Sequence, residues 1–224
     1  ELAIQKKEPD FSIAKLDYDD PETYKMLSRG ETEGVFQLES SGMKQVLVGL
    51  QPQNLEDVIA LISLYRPGPM DSIPTYLRNR HEPDKISYKT PQLAHILDVT
   101  NGCIVYQEQV MQIFRELAGF SFGQADNVRR AMSKKKHAVM EAEREHFVHG
   151  CTDPGNECPG CVANGISEKV ANEIYDEMSS FASYAFNKSH AACYAYVAFQ
   201  TAYLKCHYPS EFMACLLYTS DAAD

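Results

Sequence analysis

The sequence contains no tryptophan, no excess of basic residues and no apolar run of the roughly 20 residues that span a bilayer. A basic leader followed by an apolar segment is also missing at the start. The formal net charge of −10 at pH 7 argues at first against nucleic-acid binding, because phosphate binding requires local positive potential. We therefore expect a cytoplasmic protein with no membrane association, in which any phosphate site depends on how the charge is distributed.

A disulfide framework is not indicated either. The seven cysteines are odd in number and scattered among helical patterns, so most are expected to be reduced. Cys158-Pro-Gly-Cys161 has the two-residue gap of a zinc knuckle, and two further candidate ligands precede it irregularly, His149 and Cys151. Two interpretations remain, a structural zinc site and a set of reduced loop thiols, and the irregular spacing favours the second.

The two ends of the chain lack the features of a complete protein. The first residue is Glu1, not methionine, and residues 218–224 break the apolar periodicity of a helix that is predicted to begin at Pro209. We expect a piece of a longer protein, with a tail of doubtful origin over residues 218–224.

Apolar residues at helical spacing predict a mainly α fold. Capping and stop signals give the expected helices, which run from 21 to about 28 after Asp20, over 55–65 after Asn54, over 106–117 before Gly119, from Ser121 or Gly123, over 139–148, and from Ser167. Small and aromatic residues alternate over 181–208, which favours closely packed helices. In the 106–117 helix, Gln107, Glu108, Gln109 and Gln112 are expected on the polar face. Such amides contact bases or phosphates in some proteins and are more often solvated.

Asp17, Asp19 and Asp20 form a pattern that is used elsewhere to bind magnesium. Asp20 is also well placed to cap the helix that begins at Pro21, so the structural interpretation is favoured over the metal site.

The basic stretch (residues 129–136) concentrates cations, with no acid inside it and none expected to pair with it locally. Arg129 and Arg130 are predicted to project from the outer surface of a helix near its end. Lys134, Lys135 and Lys136 follow a predicted bend near Ser133. Guanidinium groups suit triphosphate oxygens and lysines supply point charge, although a solvated surface is the simpler alternative.

Three further cations are candidates for phosphate binding. Arg66 stands at a rigid Arg-Pro-Gly-Pro corner, where it either points at a phosphate or is merely solvated. Lys188 and His190 interrupt an apolar region. They would form a phosphate site if they faced the basic stretch, whereas a lone histidine at a helix start is more often a capping or packing residue.

Six segments, in this order, resemble the C-family bacterial DNA polymerases, the family of the polymerase III alpha subunit. They are Gly-Val-Phe-Gln-Leu-Glu-Ser at 34–40, Tyr-Arg-Pro-Gly-Pro at 65–69, Ile-Val-Tyr-Gln-Glu-Gln-Val-Met at 104–111, Arg-Arg-Ala-Met-Ser-Lys-Lys-Lys at 129–136, Phe-Asn-Lys-Ser-His at 186–190 and Tyr-Pro-Ser-Glu-Phe-Met at 208–213. The resemblance implies a helical fingers region over 31–217, preceded by the end of the palm over 1–30. Ser133 departs from the glycine of many relatives, and the Cys-rich loop, from Cys151 to Cys161, is longer than the corresponding turn in many relatives.

The resemblance also implies a function in chromosomal DNA replication, as part of a DNA-directed DNA polymerase in the bacterial cytoplasm. Arg129 and Arg130 would face the triphosphate of the incoming dNTP. Lys134, Lys135, Lys136, Lys188, His190 and Arg66 are less firmly expected to contact nucleotide or DNA phosphates. The catalytic carboxylates and their Mg²⁺ ions would lie outside this chain, so the chain alone is expected to be inactive. Implied partners of the intact protein are primed DNA template, dNTPs, the sliding clamp and the clamp loader. The alternative is a non-catalytic helical module that binds nucleic acid or protein.

Overall fold

The computed structural model describes residues 1–134, 137–182 and 186–221. Over these ranges the chain is mainly α-helical, as predicted, and β structure is limited to two isolated bridges, Tyr106 with Phe186 and Cys151 with Cys158. The helices are α1 (Leu2–Gln5), α2 (Pro21–Ser28), α3 (Ser41–Leu50), α4 (Leu55–Leu64), α5 (Ile73–His81), α6 (Ala94–Leu97), α7 (Gln107–Ala118), α8 (Phe122–Ser133), α9 (His137–His149), α10 (Gly160–Ala163), α11 (Glu168–Ala182), α12 (Lys188–His207) and α13 (Pro209–Asp221).

The predicted caps are present at the helix starts. Asp20 Oδ2 accepts the Thr23 N–H at 2.8 Å, and Asn54 Oδ1 accepts the Asp57 N–H at 3.0 Å. Ser121, rather than Gly123, caps α8. Each cap satisfies a main-chain donor that the helix itself leaves unpaired. The capping interpretation of Asp20 is therefore confirmed.

The chain divides into two compact units, with residues 1–62 and 189–224 in the first and residues 63–188 in the second. The boundaries fall near the end of α4 and at the start of α12. This division concerns compactness only, so the predicted family boundaries at residues 30 and 217 stay predictions.

In the first unit, α12 packs through the small and aromatic residues that were expected to allow close approach. Its buried face carries alanines and Phe199, whose ring centroid lies 5.2 Å from that of Tyr24. Gly34, at φ 75°, lies against α13, and a β-carbon there would come 2.4 Å from Leu216 Cδ1. Only glycine combines this backbone conformation with so close an approach. The same β-carbon would come 3.2 Å from Phe212 Cε1, so the resemblance segments at 34–40 and 208–213 pack against each other.

The second unit has its own apolar core. Phe114 lies at its centre, with ring centroids at 5.1 Å from Phe147 and 6.0 Å from Tyr175. The buried Tyr175 hydroxyl donates to the Met140 carbonyl oxygen at 2.6 Å, so its polar end is satisfied. This core fixes α7, α8, α9 and α11 relative to one another.

The end of α13 and the apolar length of the helices bear on two expectations from the sequence, the doubtful tail and the absence of a membrane span. Helix α13 continues to Asp221, so residues 218–221 extend the helix in which the apolar periodicity breaks, while residues 222–224 lie outside the described ranges. Among the described residues, none of the helices is both long and apolar enough to cross a membrane.

Candidate phosphate-binding site

The α7 N-terminal turn (residues 106–109) is anchored from inside the second unit by Gln109. Gln109 Oε1 accepts the N–H groups of Val105 and Tyr106, each at 2.9 Å. Its Nε2 donates to the Ile96 carbonyl oxygen at 3.1 Å and to Thr100 Oγ1 at 2.7 Å. Gln109 is only 4% exposed, so the expectation that it lies on the polar face of the helix is wrong. A fully bonded buried amide holds the turn in one conformation.

Arg129 is bound to this turn. Its Nη1 donates to Gln107 Oε1 at 3.1 Å, while Nε and Nη2 donate to Asp126 Oδ1 at 3.0 and 2.7 Å. The side chain is 20% exposed, so Arg129 lies partly buried at the turn and does not project from the outer surface as expected.

Arg130 does project, with a side chain that is 65% exposed. Its Nε lies 2.7 Å from Asp126 Oδ2, so one carboxylate pairs with both members of the arginine pair (Arg129 and Arg130). Hydrogen bonds from Arg129, followed by the charges of both arginines, hold the pKa of Asp126 below its usual value despite some desolvation. The expectation that no acid pairs locally with the basic stretch is therefore wrong, because Asp126 lies one helical turn before it.

The 186–188 segment (Phe186, Asn187 and Lys188) is tied to the same turn. The Phe186 carbonyl oxygen accepts the Gln107 N–H at 3.0 Å. The Glu108 carboxylate accepts from Asn187 Nδ2 at 2.7 Å and from the Lys188 N–H at 3.2 Å. An acid at the first turn of α12 also complements the positive end of that helix.

Two cation–π contacts complete this arrangement. Lys188 Nζ lies 5.3 Å from the centroid of the Tyr106 ring, and the Arg66 guanidinium carbon lies 4.0 Å from that of Phe186. Burial lowers the pKa of Arg66, but an arginine remains charged at neutral pH. Arg66 is therefore neither a simple solvated residue nor an isolated phosphate ligand, because it stacks on the 186–188 segment.

An open cleft of ≈ 500 Å³ lies along this turn. We call it the arginine cleft, and it is lined by Gln107, Glu108, Met111, Gln112, Arg115, Glu116, Phe122, Asp126, Arg129 and Asn187. Phe122 is 64% exposed, and the Arg115 guanidinium carbon lies 5.9 Å from its ring centroid. The lining combines two guanidinium groups with three carboxylates, and its exposed aromatic ring is suited to a planar ligand.

Comparison with known proteins gives the family. Residues 1–155 match the model described as the bacterial DNA polymerase III alpha subunit finger domain. The chain belongs to this family. DNA polymerase III subunit alpha of Thermus aquaticus is 50% identical over 221 residues, which cover 96% of this chain and 17% of the relative. The same-named protein of Staphylococcus epidermidis is 46% identical over 207 residues, covering 92% of this chain and 18% of the relative. That of Staphylococcus aureus strain Mu50 is 44% identical over 220 residues, covering 97% and 20%.

The finger-family chain therefore spans about a fifth of the length of the curated relatives that it matches. The predicted membership of the polymerase III alpha family is confirmed. Within the second unit, residues of three resembling segments meet at the α7 N-terminal turn. The turn belongs to segment 104–111, Arg129 of the second segment donates to it, and residues 186–188 of the third are hydrogen-bonded to it.

The remaining predicted cations of the finger-family chain have different positions. Lys134 ends α8, is exposed, and donates its main-chain N–H to the Arg130 carbonyl oxygen at 3.2 Å. Lys135 and Lys136 lie outside the described residues. His190 belongs to the first unit, where its ring lies 4.6 Å from that of Tyr194. The phosphate roles of all four stay predictions.

The structure does not assemble the candidate zinc ligands. His149 faces the carboxylates of Glu145 and Glu168, each at 3.9 Å, while Cys151 and Cys158 are joined by two main-chain hydrogen bonds of 2.9 Å. Burial raises the pKa of Cys161 to about 12, so this thiol is protonated in the metal-free chain at neutral pH. Within the described ranges, no three His, Cys, Asp or Glu side chains come together in a group that could hold a metal ion.

Sequence reasoning missed three residues of this site. Asp126 could have been found, because its positions relative to the two arginines, i−3 and i−4, face one another on a helix. Gln107 and Glu108 were noted as polar, but their partners lie 22 and about 80 residues further along the chain. Only the tertiary structure reveals those contacts.

Proposed function

We propose that this chain supplies the dNTP-binding cations of a DNA-directed DNA polymerase that acts in chromosomal replication. Arg129 and Arg130 bind the triphosphate of the incoming dNTP, and Lys188 contributes positive charge to nucleotide or template phosphates. Lys134, Lys135, Lys136, His190 and Arg66 are further candidates for contacts with nucleotide or DNA phosphates. The observation that supports this most strongly is the attachment of both the arginine pair and the 186–188 segment to the α7 N-terminal turn.

The chemistry explains why cations at a fixed spacing are needed. Phosphoryl transfer leaves the protein mainly with positioning and with stabilisation of charge on the phosphate oxygens. Guanidinium groups bond such oxygens with planar geometry, and the cleft beside Arg129 has room for the rest of a nucleotide.

The intact polymerase would supply what this chain lacks. By the resemblance to the polymerase family, its Mg²⁺ ligands are proposed to lie outside this chain. Primed DNA template is the proposed substrate besides the dNTP, and the sliding clamp and clamp loader are proposed partners through regions outside this chain. We expect no DNA synthesis by the 224-residue chain alone.

Binding of dATP to the chain, measured by calorimetry at two salt concentrations, tests the phosphate site. We expect dATP and inorganic tripolyphosphate to bind, deoxyadenosine not to bind, and affinity to fall as salt rises. Replacing Arg129 and Arg130 together by alanine should weaken dATP binding at least about tenfold, because charge-assisted hydrogen bonds each contribute about 1.5–3 kcal/mol.

The matched control is Arg78→Ala with Arg80→Ala on α5, which removes the same charge from a helix of the second unit that does not line the cleft. If this control weakens dATP binding as much as the arginine pair does, binding depends on overall charge and the site is refuted. If neither variant changes binding, the arginine pair is not the phosphate site, and the alternative of a non-catalytic helical module is favoured at this surface.

A further inference from the structure

One carboxylate organises the arginine pair. Asp126 Oδ1 accepts from Nε and Nη2 of Arg129, and Asp126 Oδ2 lies 2.7 Å from Nε of Arg130. The Asp126 side chain is 22% exposed, similar to Arg129 at 20%, so this part of the network is partly shielded from water. Both oxygens of the acid are therefore committed to the pair.

The two arginines are held differently. Arg129 uses Nε, Nη1 and Nη2 in its bonds to Asp126 and Gln107, so every nitrogen of its guanidinium has a partner. The ion pair of Arg130 is made through Nε, and its side chain is 65% exposed. The terminal nitrogens of Arg130 are thus the part of the network best placed to donate hydrogen bonds to an external anion.

We propose that Asp126 is a positioning residue for nucleotide binding, which fixes Arg130 through Nε so that its Nη1 and Nη2 meet the phosphate oxygens. Arg129 braces Asp126 against Gln107 of the α7 N-terminal turn. This inference rests on the proposed function of the arginine pair. It adds an acidic residue to a site that binds an anion.

The physical reason is the conformational freedom of arginine. An unrestrained Arg130 must be ordered when the nucleotide binds, which reduces affinity, whereas a side chain held by Asp126 is ordered beforehand. A carboxylate next to a phosphate also repels it, and this repulsion would lower the affinity for the nucleotide. If Asp126 positions Arg130, removing its charge should weaken nucleotide binding. If Asp126 competes with the phosphate, removing its charge should strengthen binding.

The test is calorimetric titration of the 224-residue chain with dATP, using Asp126→Asn, Asp126→Glu, Arg130→Ala and the double variant Asp126→Asn with Arg130→Ala. We expect Asp126→Asn to weaken binding about two- to tenfold, the range for ordering one flexible side chain. Asp126→Glu keeps the charge on the same helix face and should restore most of the affinity. In the Arg130→Ala background, Asp126→Asn should cause no further loss.

The matched control is Asp176→Asn, which breaks the Arg144–Asp176 pair of 2.6 Å elsewhere in the second unit and removes the same charge. It should leave dATP affinity unchanged. Unchanged or tighter binding by Asp126→Asn would overturn the inference and make Asp126 a competitor of the phosphate. A loss that persists in the Arg130→Ala background would overturn it as well, since Asp126 would then act through Arg129 or the fold and not through Arg130. If Arg130→Ala itself binds dATP normally, the proposed function fails, and the inference fails with it.

Discussion

Replacing Gln109 by alanine should destabilise the second unit and weaken the phosphate site together. The substitution removes four hydrogen bonds and leaves the main-chain N–H groups of Val105 and Tyr106, which are 0% and 2% exposed, without the oxygen that they bond. At about 1.5 kcal/mol for each buried unsatisfied donor, the loss is about 3 kcal/mol. With a urea dependence of about 2 kcal/mol per molar, the unfolding midpoint should fall by about 1.5 M.

Urea unfolding followed by circular dichroism gives the midpoint, and dATP titration of the folded variant gives the effect on the site. We expect weaker binding, because Gln107 and Glu108 lie on the turn that Gln109 anchors. Gln112→Ala is the matched control for the unfolding midpoint, since that amide lies on the same helix but donates to Glu116 at the surface. Its expected cost is below about 0.5 kcal/mol. Equal midpoints for the two variants would refute the reasoning.

Three further outcomes are expected. Because the sequence has no tryptophan, Phe122→Trp places a single reporter in the arginine cleft, and dATP should change its fluorescence where deoxyadenosine does not; an unchanged spectrum at saturation would exclude the cleft. Ellman's reagent at pH 8 should modify the exposed Cys193 in the native chain, but Cys161, with burial raising its pKa to about 12, only after denaturation; equal rates by mass spectrometry would contradict the burial. Gly34→Ala should cost about 1–2 kcal/mol more in urea unfolding than Gly165→Ala, since both have positive φ but only Gly34 has a neighbour at 2.4 Å; equal costs would show that the neighbour relaxes.

The helices themselves follow from local signals. Asp20, Asn54 and Ser121 mark starts that the structure confirms, and Gly119 ends α7 in the left-handed conformation, as its position predicts. These elements were predictable because capping depends on residues within one turn. The family was equally accessible, because six short segments occur in a fixed order.

The environment of the arginines was not predictable to the same degree. The polar stripe of α7 suggested that Gln109 is solvated, yet its amide satisfies main-chain groups from residues 96 and 105–106. Arg129 was expected at the outer surface because helical periodicity cannot show which neighbour covers a polar side chain. Those neighbours come from distant parts of the chain, and packing, not spacing, determines them.

The contacts of the α7 N-terminal turn determine where the chain can tolerate insertions and deletions. Gln107 and Glu108 set the separation between the arginine pair and the 186–188 segment, whereas the Cys-rich loop connects helices elsewhere in the unit. We expect insertions among its exposed residues 152–157 to leave that separation unaltered, because these residues lie outside the buried core of the unit. A single deletion within residues 105–109 would shift both attachments by one helical position, about 100° around the axis, and dismantle the site. Natural length variation should therefore accumulate in the loop and be absent from the turn.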